Sequence, residues 1–299
     1  MSTLPPAAAA APDWYRWALE QPCDSGRVVV KDAAVEWVAW GARGDPGVLF
    51  VTGNGAHVGW WRHIAPFLAD GRRVAALSWT GMGRSDWRER YSPAVFVEEA
   101  MAVAETAGLF DASAPPTMIG HSFGGLLTLL AAATVGQRLQ RAVLVDARLS
   151  TRSVWGRNAP WVDGRRLSPT REAATARFRL KPPQDERNPF ILDRLAQEAV
   201  TEVAGGWTWR ADPNNRAKTD LGPDQSGSLG RARCPLMFVR GQHSTTVTDE
   251  VWAQHQATAP AGSPFVEIPD AHHHVMLDQP LAFVAVLRAL LIWPAARTT

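Results

Sequence analysis

The chain has 299 residues, of which 46% are hydrophobic and 20% are charged, and its formal net charge is +2. This balance is typical of a globular protein, and the length favours one core with an insertion. Basic residues are interspersed with acidic ones, and no apolar run approaches the roughly 18 residues of a membrane span, so neither nucleic-acid binding nor membrane insertion is expected.

The N-terminal region predicts a tail followed by a hairpin. Residues 1–12 are rich in Pro and Ala and have neither the positive charge nor the apolar stretch of a signal peptide. We therefore expect a flexible tail over residues 1–26 and a cytoplasmic protein. Two β-rich runs at 28–30 and 35–40 predict an antiparallel pair of strands.

Strand and helix signals alternate beyond the hairpin. Continuous apolar runs, which are typical of strands covered on both faces, occur at 48–51, 74–77, 118–119, 142–145, 236–239 and 265–268. Helical patterns occur at 60–69, 93–107, 126–135, 251–258 and 281–292. This alternation predicts an α/β fold, with a mostly parallel central sheet flanked by helices.

Residues 147–233 interrupt this alternation. They are rich in Arg, Pro and Trp, and helical signal occurs only near 169–178 and 190–203. A loop of this length without strands of its own is usually functional, and it would lie over the carboxyl ends of the strands, where open α/β sheets bind ligands. We predict that 147–233 is a cap or lid, inserted into a core formed by 27–146 and 234–299.

The clearest chemical motif is the pentapeptide GHSFG at residues 120–124. It follows a short predicted strand and precedes an apolar helix, which is the context that a G-x-S-x-G nucleophile elbow requires. Small residues two positions before and after the serine permit a tight turn that exposes its hydroxyl. The motif predicts that Ser122 is a nucleophile.

A serine nucleophile needs a base that is oriented by an acid. Three adjacent histidines at 272–274 follow the last predicted strand. Residues 268–280 resemble the α/β-hydrolase pattern I-P-x-A-G-H-x-x-M-L-D-x-P, whose catalytic histidine matches His273. This resemblance implies that His273 is the base, with His272 and His274 as the alternatives.

The resemblance to the α/β-hydrolase superfamily extends over residues 28–293. Residues 48–55 (VLFVTGNG) are similar to its strand and oxyanion loop, with Thr52 in place of the usual histidine, and residues 81–86 (GMGRSD) are similar to its G-x-G-x-S loop. The resemblance implies an α/β-hydrolase fold and an oxyanion hole formed by the backbone N–H groups of Asn54 and Phe123.

The acid departs from the common pattern of the superfamily. Most members carry it after the strand that corresponds to 236–239, in a G-x-x-D motif, but this chain reads GQHSTT from residue 241. Some members, such as haloalkane dehalogenases, carry the acid after the preceding strand, where this chain has Asp146. We predict Asp146 as the acid, with Asp249 as the alternative.

No cofactor or metal is predicted. The histidine run lacks the spacing of a zinc site, and neither glycine-rich loop has a nucleotide-binding pattern. Cys23 and Cys234 are far apart, as expected of two thiols in a reducing compartment. The expected partner is a small-molecule substrate, and the protein is expected to be a monomer or a homodimer.

These features together predict a carboxylesterase-like serine hydrolase acting on a small or medium, uncharged and apolar ester. Indoles favour apolar ligands, and Trp60, Trp207 and Phe123 are candidates for the pocket walls. The same residues would serve a lactonase, a thioesterase, a C–C hydrolase or an acyltransferase. A receptor-like protein with little turnover also remains open, because the common acid position lacks a carboxylate and Thr52 replaces a histidine.

Overall fold

The computed structural model describes residues 11–149, 160–185, 187–222 and 225–294. An eight-stranded sheet lies at its centre. The strands of this sheet are β1 (Asp24–Val30), β2 (Ala33–Trp40), β3 (Gly47–Val51), β4 (Arg73–Ser78), β5 (Thr117–His121), β6 (Arg141–Val145), β9 (Leu236–Gly241) and β10 (Phe265–Ile268). They lie side by side in the order β1-β2-β4-β3-β5-β6-β9-β10. Only β1–β2 and β2–β4 pair antiparallel, so the prediction of a mostly parallel sheet is confirmed.

Helices cover both faces of this sheet. The described helices are α1 (Asp13–Glu20), α2 (Pro93–Thr106), α3 (Phe123–Val135), α4 (Arg171–Thr175), α5 (Pro189–Glu198), α6 (Asn215–Lys218), α7 (Asp249–Thr258), α8 (Val275–Asp278) and α9 (Pro280–Leu291). In the part of the chain with described coordinates, none is long and apolar enough to cross a membrane.

Side chains of β3 show why the predicted strands read as unbroken apolar runs. Val48 and Phe50 belong to the buried cluster on one side of the sheet, whereas Leu49 and Val51 belong to the cluster on the other side. Successive side chains of a strand point to opposite faces, so a strand covered on both faces needs apolar residues at every position.

The prediction of one helix over residues 60–69 is wrong. Two short 3-10 helices occupy this region, at Val58–Trp61 and Ala65–Leu68. Pro66 lies in the first turn of the second one. Because proline has no backbone N–H and its ring clashes with the preceding turn, one continuous α-helix through this position is disfavoured.

The predicted tail over residues 1–26 is ordered from α1 onward. Tyr15 on α1 is 1% exposed, and its ring lies 4.9 Å from that of Phe190 and 6.0 Å from that of His63. Burial of this aromatic side chain anchors a helix that is too short to be stable alone. Residues 1–10 lie outside the described part of the chain.

The segment between β6 and β9 contains more regular structure than predicted. It includes α4, α5, α6 and an antiparallel hairpin of β7 (Val200–Val203) and β8 (Gly206–Trp209). Residues 200–203 were expected to extend a helix. They form a strand instead, because Gly205 and Gly206 have positive φ angles of 89° and 139° that allow the chain to reverse.

Candidate active site

A strained turn between β5 and α3 presents Ser122. Its backbone has φ 56° and ψ −120°, a conformation that residues other than glycine rarely adopt. A Cβ atom on Gly120 would lie 2.2 Å from the Gly124 carbonyl oxygen, and one on Gly124 would lie 2.6 Å from the Thr52 carbonyl oxygen. The turn therefore requires both glycines, and it leaves the Ser122 side chain partly exposed.

The structure brings Ser122, His273 and Asp146 together. The His273 Nε2 atom lies 3.0 Å from the Ser122 hydroxyl, and its Nδ1 atom lies 2.8 Å from Asp146 Oδ1. Asp146 directly follows β6, and His273 lies in the loop after β10. Because the carboxyl ends of parallel strands meet at one sheet edge, residues far apart in sequence meet there.

Two further groups hold the Asp146 carboxylate. The Ser244 hydroxyl donates to Oδ1 at 2.6 Å, and the Gly241 N–H donates to Oδ2 at 2.8 Å. Asp146 is fully buried, so these bonds offset the cost of removing its charge from water. Ser244 occupies the position of the aspartate in the G-x-x-D motif, and it was not among the residues predicted from the sequence.

The alternative acid, Asp249, lies elsewhere. It is the first residue of α7, its carboxylate is exposed, and it pairs with Arg240 at 2.6 Å. The Nδ1 atom of His273 instead contacts Asp146. The geometry therefore favours Asp146 over Asp249 as the partner of His273.

The three adjacent histidines have different surroundings. Asp278 accepts from the His272 backbone N–H at 2.7 Å and lies 3.1 Å from the Nδ1 atom of the same residue. His274 is buried against Trp60, and neither ring nitrogen has a hydrogen bond of normal geometry in the described chain. Only His273 of the three contacts Ser122 among the hydrogen bonds of the described residues.

His121, inside the elbow motif, contacts both the backbone and the ring of His273. Its Nε2 atom lies 2.9 Å from the His273 carbonyl oxygen, and the two rings are 4.7 Å apart. Burial, followed by the nearby His273 ring, lowers the pKa of His121 well below its ordinary value, so this ring stays neutral. Its side chain was not predicted to contribute, because the motif leaves this position open.

The predicted oxyanion loop lies next to the elbow. A Cβ atom built on Gly53 would lie 3.3 Å from Ser122 Cβ, so the loop carrying Asn54 passes close to the serine. Phe123 is the first residue of α3, and N–H groups in a first helical turn point outward, toward bound anions. The Trp79 indole donates to the Thr52 carbonyl at 2.9 Å and so holds this loop.

A cavity of about 460 Å³ begins at Asn54 of this loop, and its described lining includes His274 but neither Ser122 nor His273. Asn54, Trp60 and His274 bound it on the side of the sheet, and residues of the segment between β6 and β9 bound it on the other side. Trp209 lines it, whereas Trp207 does not: Trp207 lies on the outer hairpin beside the Arg171 guanidinium. This volume is in the usual range for small-molecule sites.

Three histidines could share a metal ion. One ring nitrogen from each of His121, His273 and His274 lies within 4.8 Å of the others, although the spacing of the histidine run alone predicted no metal site. Both nitrogens of His273 already contact Asp146 or Ser122. An ion on this ring would therefore compete with the contact to the serine.

The fold and these residues together define the class of protein. A mostly parallel sheet carries a serine on a strand–turn–helix elbow. The aspartate follows β6 and the histidine follows β10, and the histidine contacts both the serine and the aspartate. The sequence matches the alpha/beta hydrolase family over residues 48–286, and the chain belongs to this family.

Relatives of the chain include named enzymes. It is 28% identical over 282 residues to Esterase Rv0045c of Mycobacterium tuberculosis, with 88% of each chain covered. It is 24% identical over 273 residues to pyrrolizixenacetamide deacetylase of Xenorhabdus hominickii, covering 89% of this chain and 97% of the relative.

Solved structures show the same fold. The crystal structure of Esterase Rv0045c superposes with a TM-score of 0.70 at 25% identity, covering 97% of this chain and 99% of the other. That of E-2-(acetamidomethylene)succinate hydrolase superposes with a TM-score of 0.77 at 21% identity, covering 90% and 99%.

Proposed function

We propose that this protein is a serine hydrolase that cleaves carboxylic esters through an acyl-enzyme. The observation that carries the proposal is the continuous contact from the Ser122 hydroxyl to His273 at 3.0 Å and from His273 to the buried Asp146 at 2.8 Å. The similarity to Esterase Rv0045c across 88% of both chains supports an ester as the bond.

In the first half of the reaction, Ser122 Oγ attacks the carbonyl carbon of the ester while His273 Nε2 takes the hydroxyl proton. Asp146 orients the imidazole and stabilises the imidazolium. The carbonyl electron pair moves onto oxygen, where the backbone N–H groups of Asn54 and Phe123 stabilise the oxyanion. When the intermediate collapses, the C–O bond breaks and His273 returns the proton to the leaving alcohol.

In the second half, water enters and His273 removes one of its protons. The resulting hydroxide attacks the acyl carbon and forms a second tetrahedral intermediate. When this intermediate collapses, the bond from the acyl carbon to Ser122 Oγ breaks, His273 returns the proton to Oγ, and the carboxylic acid is released. No cofactor takes part in either half. The neutral His121 below His273 adds no positive charge beside the imidazolium that forms twice per cycle.

We also propose that residues 147–233 act as a cap over a core formed by 27–146 and 234–299. Trp209 and Asp212 from this segment line the same cavity as Asn54. A substrate in this cavity would lie between the segment and the sheet. This cover would shield the reacting carbonyl from part of the solvent and so strengthen electrostatic interactions there.

Two observations weigh against the receptor-like alternative. A carboxylate is in contact with His273 although the G-x-x-D position holds Ser244. The loop around Thr52 is held by Trp79 without a histidine. A receptor would not need a nucleophile and a base in contact.

The proposal is tested with a fluorophosphonate probe, which labels an activated serine without a guess at the substrate. Intact-protein mass spectrometry should show one adduct on the wild type and none on Ser122→Ala. Ser85→Ala is the matched control, because Ser85 lies on another loop and bonds to the Ser78 carbonyl. Folded wild-type protein that takes up no probe would contradict the proposal.

Turnover is measured in parallel on p-nitrophenyl esters of increasing acyl length and on thioester and lactone analogues. We expect the oxygen esters to give the highest kcat/KM. A preference of more than tenfold for another bond would leave the serine hydrolase in place but replace the ester as its substrate.

A further inference from the structure

Basic side chains dominate the described polar wall of the cavity. Four of its lining residues are basic: Arg166, Arg177, Arg179 and Lys181. The acidic residue of the described lining, Asp212, is buried and already binds Lys218 Nζ and the Tyr91 hydroxyl, each at 2.8 Å. The cavity therefore has an excess of positive charge that this carboxylate does not balance.

Arg177 differs from the other basic residues of the wall. Its Nε and Nη2 atoms are shielded from solvent, and neither has a hydrogen-bond partner in the described part of the chain. These two nitrogens lie on one edge of the guanidinium. A carboxylate can accept two parallel hydrogen bonds from this edge, one with each oxygen. Leaving buried charged donors without acceptors is costly, so a ligand that pairs with them gains affinity. Because both nitrogens are shielded from solvent, a ligand in the cavity reaches them only when the guanidinium turns toward it.

Arg179 lines the same cavity, but it is exposed to water and one of its nitrogens already has acceptors in the protein. Its Nη1 atom donates to the carbonyl oxygens of Ala176 at 2.9 Å and of Phe178 at 2.6 Å. Arg166 and Lys181 are exposed, so water solvates them. Arg177 is therefore the residue of this wall with the most to gain from an anion.

The rest of the lining is apolar or neutral. Trp60, Phe178, Leu180 and Trp209 offer aromatic and aliphatic surface. Burial, followed by the nearby rings of His273 and His121, lowers the pKa of His274 well below its ordinary value, although the Lys181 backbone acts in the opposite direction. A neutral His274 adds no charge, so the lining suits an apolar chain that ends in an anionic group.

We propose that the substrate carries a carboxylate besides the bond that is cleaved, and that Arg177 binds this carboxylate in a bidentate pair. The proposal rests on the proposed function and names its substrate class: esters of dicarboxylic acids or of hydroxy acids. It differs from the uncharged ester that the sequence alone favoured, because that expectation considered the tryptophans and not the arginines of the wall.

Two matched pairs of esters test this proposal for both orientations of the substrate. Mono-p-nitrophenyl adipate is compared with p-nitrophenyl hexanoate, and 6-acetoxyhexanoate is compared with hexyl acetate. Within each pair the chains match except for the terminal carboxylate. We expect the anionic ester to have the higher kcat/KM in at least one pair, with an advantage that declines as salt is added.

Arg177→Gln should reduce this advantage by about ten- to hundredfold, mainly through KM, because hydrogen bonds between charged groups are lost. Turnover of the uncharged ester should fall by a smaller factor than turnover of the anionic ester. Arg177→Lys keeps the positive charge but cannot form the two parallel hydrogen bonds of a guanidinium. It should therefore retain more of the preference for the anionic ester than Arg177→Gln, but less than the wild type. Arg179→Gln, the matched control, removes one charge from the same wall and should have a smaller effect.

The outcomes separate the two proposals. If fluorophosphonate fails to label Ser122 in the wild type, the proposed function fails. If labelling and turnover of uncharged esters are normal but neither anionic ester is preferred, the carboxylate proposal alone is wrong. It is also wrong if Arg177→Gln, labelled to the wild-type extent, retains the full preference.

Discussion

The candidate catalytic residues and the arginine on the opposite wall of the cavity differ in how completely their polar groups are paired. On the side of the sheet, Asp146 accepts from Ser244, Gly241 and His273, and His273 also reaches Ser122. On the side of the segment between β6 and β9, Arg177 has two buried donors without acceptors in the described chain. The hydrogen bonds that connect Ser122, His273 and Asp146 are complete without a ligand, whereas this edge of Arg177 lacks acceptors among the described residues.

This difference indicates a division of labour. A paired and buried network holds its geometry before the substrate arrives, which is what a preorganised reaction centre requires. Unpaired donors gain their acceptors only when a ligand binds, so they contribute to selection among substrates. Substitutions on the sheet side should therefore reduce kcat for every substrate, whereas those on the other side should act on particular substrates.

Removing the charge of Asp146 is the strongest test of the sheet side. Asp146→Asn leaves the shape of the side chain but no longer stabilises the imidazolium, and we expect kcat to fall by about 10³- to 10⁴-fold for all esters. Steady-state kinetics checks this, with circular dichroism to confirm folding. Asp249→Asn is the matched control, because Asp249 is exposed and binds Arg240, and it should retain activity.

If Asp249→Asn were the damaging change and Asp146→Asn were harmless, the acid would have been misassigned. The proposed division between a preorganised reaction centre and a selective wall would then be wrong, because the well-paired Asp146 carboxylate would have no part in the reaction.

Much of the fold could be predicted because its signals are local. The unbroken apolar runs of β3 and its neighbours reflect burial on both faces, and the glycines around Ser122 reflect a turn that tolerates no Cβ. Helix α1 and the β7–β8 hairpin were missed. The helix depends on contact between Tyr15 and Phe190, far away in the sequence, and the hairpin has only four residues in each strand.

The candidate site was predictable to the extent that motifs encode it. Ser122 lies in a motif, His273 was chosen by resemblance, and Asp146 followed from its place at the end of a strand. The contact of Ser244 with Asp146 depends on how β6 and β9 pair, and no local pattern encodes it. The cytoplasmic location and the choice between monomer and homodimer stay predictions.

Ser244 offers a smaller and sharper test of the sheet side. Its hydroxyl donates to the same Oδ1 atom of Asp146 that faces His273 Nδ1. Ser244→Ala removes one bond to a buried carboxylate, and we expect kcat to fall by about tenfold with little change in KM. The lost donor should also shift the acidic limb of the pH–rate profile.

Ser244→Thr keeps the hydroxyl and should restore most of the rate, which a merely steric role at this position would not explain. A Ser244→Ala enzyme with wild-type kcat and an unchanged pH profile would show that Gly241 alone holds the carboxylate adequately.

The two sides should also differ in how they affect the free energy of unfolding in acid. The sheet side contains buried neutral histidines, which can take up protons, whereas arginine on the other side stays charged at every pH of interest. The pKa of His121 is lowered by burial, so the unfolded chain binds a proton below about pH 6.5 that the folded chain does not. The free energy of unfolding should therefore fall as the pH decreases below about 6.5, by up to about 1.4 kcal/mol per pH unit for each such histidine.

Urea unfolding between about pH 6.5 and pH 5 measures this slope. His121→Gln should make it shallower and also reduce kcat, because the bond to the His273 carbonyl is altered. His255→Gln is the matched control: burial lowers the pKa of His255 to about 4, but its ring packs on Phe238, so the slope should flatten while kcat is kept. An unchanged slope in His121→Gln would mean that His121 binds its proton in the folded protein as readily as in the unfolded chain. A positive charge would then lie beside His273 in acid, and a neutral support for the base would be the wrong description of His121.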